Sequence, residues 1–363
     1  MEFTAVSRLE RTTLTVEVTV PEVDQTTQYA YYLLEKTQGV LEKQFYLKEN
    51  TFTFPLSDPG TYAVQVYVRH WPNGPDGDSV TTVKVSNWLP LYPTKVVPYE
   101  RLEEEDFRST EGTVYDIVWD GVHYEFFIHY KPDSTQAVIL GTGSVIGTKV
   151  NPLFVRIAWA QEMPGTAIYY SDPTSYLPPC NLGWGYGTND RWALKDISAL
   201  LQKILDKLHI PTGNTLFYGS SGGGYTSMLL AAMLRSRATI INSQFNIEGY
   251  IPAKCVDQLK QVCLKEGETL LPERTHAATF FQQEGYFPPL HVVQNIRAKK
   301  DITTQLSPFL DALADLSLDW SDRLRIEFYA DDGGHTAMPS KEVCLKHISE
   351  DLVVTDPADS QNM

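Results

Sequence analysis

The 363-residue chain has few of the features that would assign a protein to a specialised class. It has no apolar run near the roughly 18 residues that a membrane span needs, so no span is predicted. Its four cysteines are scattered without a CxxC pair, which favours reduced thiols over a disulfide framework. Positive charge is in deficit, and the formal net charge of −15 at pH 7 is the opposite of a nucleic-acid-binding surface. We therefore expect no nucleic-acid partner.

Targeting and metal-binding signals are also missing. Residues 1–20 show no basic segment followed by an apolar core, so we expect no secretory signal and a cytoplasmic location. The sequence has no HExxH motif and no cluster of histidines and cysteines, so no metal and no bound cofactor are expected. What remains is an ordinary globular composition with enough length for two domains.

The first 90 residues alternate apolar and polar side chains. Tyr62, Val64, Val66 and Val68 all point to one side of their segment, which is the period of a half-buried strand. Turn-forming stretches such as SDPG and WPNGPDGD separate the apolar runs. This pattern predicts a small immunoglobulin-like β-sandwich over residues 1–90. A proline-rich linker is predicted to follow at 91–109.

The pattern of apolar and polar residues changes from about residue 110. Two alternating segments form a predicted hairpin across the turn Asp120-Gly121, and strand-like and helix-like segments then alternate. Such alternation predicts an α/β fold with a mostly parallel sheet covered by helices on both faces. We assign this domain to residues 110–355 and a short tail to 356–363.

A run of small residues lies between the strand-like TLFYG and the helix-like GYTSMLLAAML. The run Gly219-Ser220-Ser221-Gly222-Gly223 matches GxSxG with Ser221 at its centre. A nucleophile elbow needs this strand–turn–helix context, with glycine where a side chain would crowd the turn. The serine is expected to have strained backbone angles, and the Gly222 N–H at the helix start is expected to face a developing oxyanion.

Other interpretations of the glycine run are less favourable. Centring the motif on Ser220 would place the large Tyr218 where the turn needs a small residue. A Walker phosphate loop needs Lys-Ser or Lys-Thr after the glycines, and a dinucleotide fingerprint needs GxGxxG near the first strand. Neither is present, although a plain glycine turn stays open.

A serine nucleophile needs a base and an acid to orient it. His335 lies just beyond the last predicted strand and before the last helix, where such a base is expected. Asp301 follows the penultimate strand, where the acid is expected, although it would also suit a helix N-cap. Asp331 and Asp332 are rival acids because they lie close to His335 in the sequence.

Three further stretches are candidates for the site. The loop after the strand AVILG is expected to supply the second oxyanion N–H, and the sequence does not choose among Thr142, Gly143 and Ser144. The aromatic loop 169–187 contains Trp184 and Tyr186, whose rings would suit sugar faces, or it is a buried structural loop. The segment 243–289 is long enough for a lid, and simple packing against the domain is the alternative. Its Gln244 or Asn246 would then reach the substrate.

These segments together resemble one known group of proteins. FYGSSGGGYTSMLLAAMLRSRATIINSQFNI, preceded by YYSDPTSY and LGWGYG and followed by HVVQN, is similar to the α/β-hydrolase superfamily. Within it, the resemblance is to bacterial serine esterases and O-acetyltransferases associated with surface glycans, such as the accessory Sec-system glycan O-acetyltransferase. It covers roughly residues 110–350, and it transfers the triad to Ser221, Asp301 and His335.

The resemblance implies acetyl-ester chemistry on a carbohydrate through an acyl-serine intermediate. It leaves open whether acetyl is added or removed, and an acyl donor such as acetyl-CoA would serve a transferase. It also implies a glycan substrate and glycan-synthesis enzymes as partners of the N-terminal module. Two alternatives stay open, a prolyl-oligopeptidase-like serine peptidase and a non-catalytic glycan-binding or assembly subunit. The N-terminal module is too short for the propeller of such peptidases.

Overall fold

The computed structural model describes residues 2–72, 74, 76–145, 151–250 and 252–353. They divide into two compact units. One comprises residues 2–93 with 151–152, and the other comprises 94–145 with 153–353. The tail expected at 356–363 lies outside the described residues.

The first unit consists of two antiparallel sheets. One has the strand order β1-β2-β5, and the other has the order β4-β3-β6-β7, with β8 pairing to β6. The alternation in β6 is confirmed, because Tyr62, Val64, Val66 and Val68 are at most 3% exposed. Apolar side chains from both sheets share one core. The strands are β1 (Thr4–Glu10), β2 (Thr13–Thr19), β3 (Gln28–Glu35), β4 (Gly39–Leu47), β5 (Thr51–Pro55), β6 (Gly60–His70), β7 (Val80–Val85) and β8 (Leu89–Leu91).

The second unit is built on one mixed nine-stranded sheet. Its order is β17-β16-β15-β14-β12-β13-β11-β10-β9, and the pairs from β17 to β13 are all parallel. Antiparallel pairing is confined to β13–β11 and to the hairpin β11–β10. The strands are β9 (Thr94–Pro98), β10 (Thr113–Trp119), β11 (Val122–His129), β12 (Ala137–Leu140), β13 (Thr166–Tyr170), β14 (Thr215–Ser220), β15 (Arg237–Ile241), β16 (Leu290–Asn295) and β17 (Leu324–Tyr329).

Helices pack against this sheet and contribute many of the buried apolar side chains of its core. The predicted apolar stripe of α1 is confirmed, since Leu194, Ile197, Leu201 and Ile204 are fully buried. Both α2 and α8 contact the central strand β14. The helices are α1 (Ala193–Leu208), α2 (Gly222–Met233), α3 (Lys254–Cys263), α4 (Pro272–Thr275), α5 (Ala277–Glu284), α6 (Lys299–Asp301), α7 (Ser307–Ala314) and α8 (Lys341–Val353), with a π-helical turn Ile302–Leu306 joining α6 to α7.

Of the segment interpreted as a linker, residues 94–109 belong to the second unit and residues 91–93 to the first. Residues 94–98 form β9, which pairs in parallel with β10 at the sheet edge. The 3₁₀-helix Tyr99–Glu104 then buries Leu102 in the core. Proline disfavours a central strand but is tolerated on an edge strand, and for that reason the proline content misled the sequence interpretation.

The segment 243–289 mostly packs into the domain and does not form a separate lid. It carries α3, α4 and α5, and the side chains of Leu259, Cys263, Phe280 and Phe281 are at most 3% exposed. The packing alternative therefore holds for these helices.

In the described part of the chain, no helix combines the length and the apolar character that crossing a membrane requires. The four cysteines are unpaired. The described residues also contain no group of three or more His, Cys, Asp or Glu side chains arranged to hold a metal ion.

Candidate active site

Ser221 lies at the sharp turn between β14 and α2. Its backbone angles are φ 55° and ψ −127°, so the predicted strain at this residue is confirmed. For a residue other than glycine, a backbone conformation at positive φ costs on the order of 1–3 kcal/mol. It persists only where the surrounding structure imposes it. Here the Ser221 N–H donates to the Ile241 carbonyl at 3.1 Å, and the Ser221 carbonyl accepts from the Gly224 N–H at 3.0 Å. These bonds tie the turn to the end of β15 and to the first turn of α2.

Two glycines make the turn sterically possible. A Cβ at Gly219 would lie 2.2 Å from the Gly223 carbonyl oxygen, and a Cβ at Gly223 would lie 2.5 Å from the Thr142 carbonyl oxygen. The expected crowding is present, but the obstacle is main-chain carbonyl groups and not the serine side chain. The second distance also shows that the loop after β12 passes close to the start of α2.

Three side chains distant in sequence meet at this turn. The Ser221 Oγ lies 2.9 Å from Nε2 of His335. The His335 Nδ1 lies 2.7 Å from Oδ2 of Asp301. The carboxylate fixes the proton on Nδ1, because Asp301 can only accept from that nitrogen when ionised. Nε2 is then left as an acceptor facing the serine hydroxyl. The arrangement can take a proton from Ser221 and stabilise the imidazolium that results.

Asp331 and Asp332, the rival acids, have other partners. The Asp331 carboxylate accepts from the Gly333 N–H at 2.8 Å and so stabilises its own turn. The Asp332 side chain is 91% exposed and lies 3.6 Å from Nε of Arg297. By contrast, the Asp301 side chain is only 14% exposed. The structure therefore brings Asp301, and neither rival, to the imidazole.

Two buried asparagines hold the loop that carries His335. The Nδ2 of Asn242, at the end of β15, donates to the carbonyl oxygens of His335 at 3.1 Å and Ala337 at 2.9 Å. The Nδ2 of Asn295, the last residue of β16, donates to the Asp331 carbonyl at 2.7 Å and the Gly334 carbonyl at 2.9 Å. Both asparagines are at most 1% exposed, so the histidine loop is bonded to amides that belong to the interior of the unit.

A tryptophan and a glutamine extend the network to the other side of the serine. The indole Nε1 of Trp184 donates to Gln244 Oε1 at 2.7 Å. An indole N–H can only donate, so this bond fixes the orientation of the amide. The Gln244 Nε2 consequently faces Ser221 and donates to its Oγ at 2.8 Å. Ser221 Oγ thus accepts one hydrogen bond and keeps its proton for His335.

Solved structures resemble this chain in fold. No protein-family model matches the chain, and no curated protein matches it in sequence. Prolyl oligopeptidase B from Galerina marginata aligns with a TM-score of 0.50 at 13% identity, covering 95% of this chain and 49% of that one. The chain therefore spans about half the length of that peptidase. The fold is α/β-hydrolase-like.

Two further solved structures align with this α/β-hydrolase-like chain at lower scores. The capsule O-acetyltransferase of Neisseria meningitidis serogroup A has a TM-score of 0.44 and 13% identity, covering 64% of this chain and 92% of that one. A glycosylation-associated protein complex (Gap123) from Streptococcus agalactiae has a TM-score of 0.46 and 13% identity, covering 95% of this chain and 69% of that one. At these identities the likeness concerns the fold alone.

The positions of the three site residues agree with the α/β-hydrolase-like fold. In that fold the nucleophile, acid and base follow one another in the chain order Ser, Asp or Glu, His. Ser221 follows β14, Asp301 follows β16 and His335 follows β17. The three strands are parallel members of the run β17-β16-β15-β14, so their carboxyl ends deliver the three side chains to one edge of the sheet.

The expected oxyanion donors lie at the same edge. Gly222 is the first residue of α2, and its N–H has no intrahelical acceptor because it belongs to the first turn. Gly143 follows Thr142, whose carbonyl is pressed against Gly223. A Cβ at Gly143 would meet nothing within 4 Å, so this position opens to free space. Thr142 is 7% exposed and donates its hydroxyl to the Leu153 carbonyl. The choice among the main-chain N–H groups of Thr142, Gly143 and Ser144 stays a prediction.

The aromatic loop supports the site from behind and does not offer rings for stacking. Trp184 is 2% exposed and Tyr186 is 1% exposed. The Tyr186 hydroxyl accepts from the Leu271 N–H at 3.0 Å and donates to Asn189. Tyr186 is therefore a structural residue and not a substrate contact. Trp184 is linked to the nucleophile by its hydrogen bond to Gln244.

Two groups near the serine were not found from the sequence. The Tyr250 ring centroid lies 6.5 Å from that of His335 and 5.7 Å from that of Trp184. The Arg156 guanidinium donates to the Ser220 Oγ at 3.0 Å. Neither residue belongs to a motif, and each reaches the site from a loop whose path depends on tertiary packing.

The close backbone approach at Gly223 generates a stability prediction. Gly223→Ala would place a methyl group against the Thr142 and Gly141 carbonyls, which cannot move as a flexible side chain would. We expect a loss of roughly 1–3 kcal/mol in the free energy of unfolding, measured by urea denaturation. Gly213→Ala is the matched control, since a Cβ there meets nothing within 4 Å. Equal urea midpoints for both variants would refute the crowding described at the turn.

Proposed function

We propose that the chain is a serine-dependent acyl-ester enzyme, an O-acetyltransferase or acetyl esterase acting on a carbohydrate of a bacterial surface glycan. The observation that carries the proposal is the unbroken hydrogen-bonded line from Asp301 through His335 to Ser221, at 2.7 Å and 2.9 Å. The sequence resemblance supports the acetyl and glycan parts. The alignment with prolyl oligopeptidase B supports only the fold.

The proposed reaction follows from the protonation states that the geometry favours. His335 Nε2 accepts the Ser221 proton as Oγ attacks the ester carbonyl carbon, and Asp301 stabilises the imidazolium. The negative charge that develops on the carbonyl oxygen is stabilised by the N–H groups of Gly222 and Gly143. The tetrahedral intermediate collapses to an acyl-serine as His335 gives its proton to the leaving alcohol. Water or a sugar hydroxyl then loses a proton to His335, attacks the acyl group and releases Ser221.

Gln244 has a positioning role in this proposal. Its amide Nε2 donates to the Ser221 Oγ at 2.8 Å, while the hydroxyl proton is directed to His335 Nε2 at 2.9 Å. Trp184 prevents the amide from rotating, as its indole hydrogen bonds only to Oε1. Because attack requires alignment within a fraction of an ångström, a hydroxyl held at two points is already close to the reactive geometry.

For residues 2–93 we infer an immunoglobulin-like accessory module. Two antiparallel sheets that share one core support this assignment. Exposed apolar side chains on the edge strands of the larger sheet, including Phe45 at 63% and Val85 at 46%, support a role in docking a glycan-synthesis enzyme. An experimental structure with the strand connections of another sandwich type would contradict the assignment.

The central test is covalent labelling of the serine. Wild-type protein is expected to react with a fluorophosphonate probe, and peptide mapping is expected to locate the adduct on Ser221. Ser221→Ala should lose labelling and turnover, because Ser220 has its Oγ bonded to Arg156 and no base beside it. Ser349→Ala, on the exposed face of α8, is the control and should label normally. Full labelling of Ser221→Ala would exclude the proposed nucleophile.

The assignment of Asp301 as the acid beside His335 leads to a second, separate prediction. Asp301→Asn would disfavour the Nδ1–H tautomer and remove the charge beside the imidazole, so the turnover number should fall by about 10⁴-fold. Asp332→Asn removes the same charge from an exposed position and should retain wild-type turnover. The comparison uses hydrolysis of p-nitrophenyl acetate. Similar rates for both variants would mean that Asp301 does not serve the histidine.

The role of Gln244 is tested by labelling rate. Gln244→Ala should slow labelling of Ser221 by up to about 10²-fold, because the nucleophile loses one of its two anchors. Trp184→Phe keeps the ring but frees the amide, so a smaller decrease is expected. Gln283→Ala on the exposed surface of α5 is the control. A change in melting temperature with no change in labelling rate at low temperature would show that Gln244 is only structural.

Three assays distinguish the proposed carbohydrate ester chemistry from the two alternative functions. Acetylated methyl glycosides should be deacetylated, or should exchange acetyl with an acceptor glycan, whereas a glycyl-prolyl anilide should not be cleaved. Cleavage of the anilide alone would favour the peptidase alternative. Measurable glycan binding by a protein that does not react with the fluorophosphonate would favour the non-catalytic alternative.

A further inference from the structure

Arg156 places a positive charge beside the nucleophile. Its guanidinium donates to the Oγ of Ser220, the residue immediately before Ser221. Consecutive Cα atoms are about 3.8 Å apart, so the guanidinium is bonded to the residue directly next to the nucleophile in the turn. Arg156 follows β12, the strand next to β14, and it is partly exposed. In a chain of formal charge −15, a cation at this position contrasts with its surroundings.

The guanidinium is held by neutral groups. It lies 5.4 Å from the ring centroid of Tyr218 and 5.5 Å from that of Trp159. Among the described residues, no carboxylate pairs with Arg156. The acidic residue on the same segment, Glu162, pairs with Lys341 instead. Aromatic faces and a hydroxyl orient a cation without neutralising it, so the charge stays available to an incoming anion.

The backbone at Arg156 is fixed as well. Its φ is 67°, in the left-handed region that a residue with a side chain rarely adopts. The Tyr169 hydroxyl donates to the Arg156 carbonyl at 3.1 Å, which ties this conformation to the end of β13. Strain of this kind persists where the surrounding structure imposes it, and it often accompanies binding sites. Arg156 is thus aimed by its backbone and by its side-chain partners together.

We propose that Arg156 is an anion-binding residue of the substrate site and that the natural substrate carries a carboxylate or phosphate near its reacting ester or hydroxyl. The inference rests on the proposed function and narrows its substrate to acidic carbohydrates. The planar guanidinium matches a carboxylate or phosphate with two parallel hydrogen bonds, which a neutral sugar cannot supply. Arg156 in this role sets specificity and takes no part in proton transfer.

Protection of Ser221 from labelling tests this proposal without knowledge of the acyl donor. The rate of fluorophosphonate labelling is measured in the presence of methyl glucuronoside, glucose 6-phosphate or methyl glucoside. At equal concentration, one or both of the anionic sugars should slow labelling of the wild type, and methyl glucoside should not. Protection by only one of the two identifies carboxylate or phosphate as the recognised group.

Three variants test the role of the guanidinium: two replace Arg156, and the third removes a positive charge elsewhere. Arg156→Gln should weaken protection by about tenfold or more, the effect of losing a hydrogen bond to a charged group, while labelling without sugar proceeds. Arg156→Lys should retain part of the protection, since it keeps the charge but not the paired donors. Arg235→Gln, at the far end of α2, removes the same charge and should match the wild type.

Several outcomes would overturn the inference. Equal protection by neutral and anionic sugars would do so, as would anion protection that survives in Arg156→Gln. If Arg156→Gln does not fold, as judged by its thermal transition, Arg156→Lys decides, and protection equal to the wild type would count against paired recognition. Failure of the wild type to label at all would instead refute the proposed serine chemistry, so the two failures are distinguishable.

Discussion

A main-chain carbonyl of the first turn of α2 lies where a side chain on the preceding strand would otherwise be, and the rest of the site depends on that close contact. With glycine at 219 and 223, β14 can turn into α2 through a single residue at positive φ. Ser221 then stands at the carboxyl edge of the sheet with its main chain bonded to β15 and α2. His335 and Gln244 reach this one hydroxyl from the segments that follow β17 and β15.

The groups that position Ser221 and His335 form a buried polar network that permits few other arrangements of its side chains. Asn242, Asn295 and Gln244 are each at most 1% exposed. A buried amide costs free energy unless its donors and acceptors are satisfied, and here each amide bonds to loop carbonyls, to the indole or to the nucleophile. The network therefore stabilises one arrangement of the histidine loop and one orientation of the glutamine. Preorganisation of this kind is what a serine nucleophile requires.

The aromatic loop shows how composition can indicate the right region but the wrong role. Its Trp184 and Tyr186 rings are buried, so they build the wall behind the serine and do not meet solvent. Asp172 accepts hydrogen bonds from the Gly185 and Thr174 N–H groups at 2.9 Å each and so fixes the loop. Burial raises the pKa of the Asp172 carboxyl above its ordinary value, although these N–H bonds favour its charged form. The groups bonded to the two serines of the turn, Gln244 to Ser221 and Arg156 to Ser220, come from less conspicuous stretches.

The sequence by itself determined the fold class, the alternating strands and helices, and the strained turn at Ser221, because periodicity and glycine placement act locally. It also marked His335, since a loop between the last strand and the last helix has few possible positions. Only the tertiary structure separated Asp301 from Asp331 and Asp332, and only it joined Trp184 to Gln244 or set Arg156 beside Ser220. Those contacts span up to 64 residues, and loop paths between strands are set by packing that no short segment encodes. The strand β9 was missed in the proline-rich segment for the same reason. An edge strand is defined by its pairing with its neighbour, here β10, and not by its own composition.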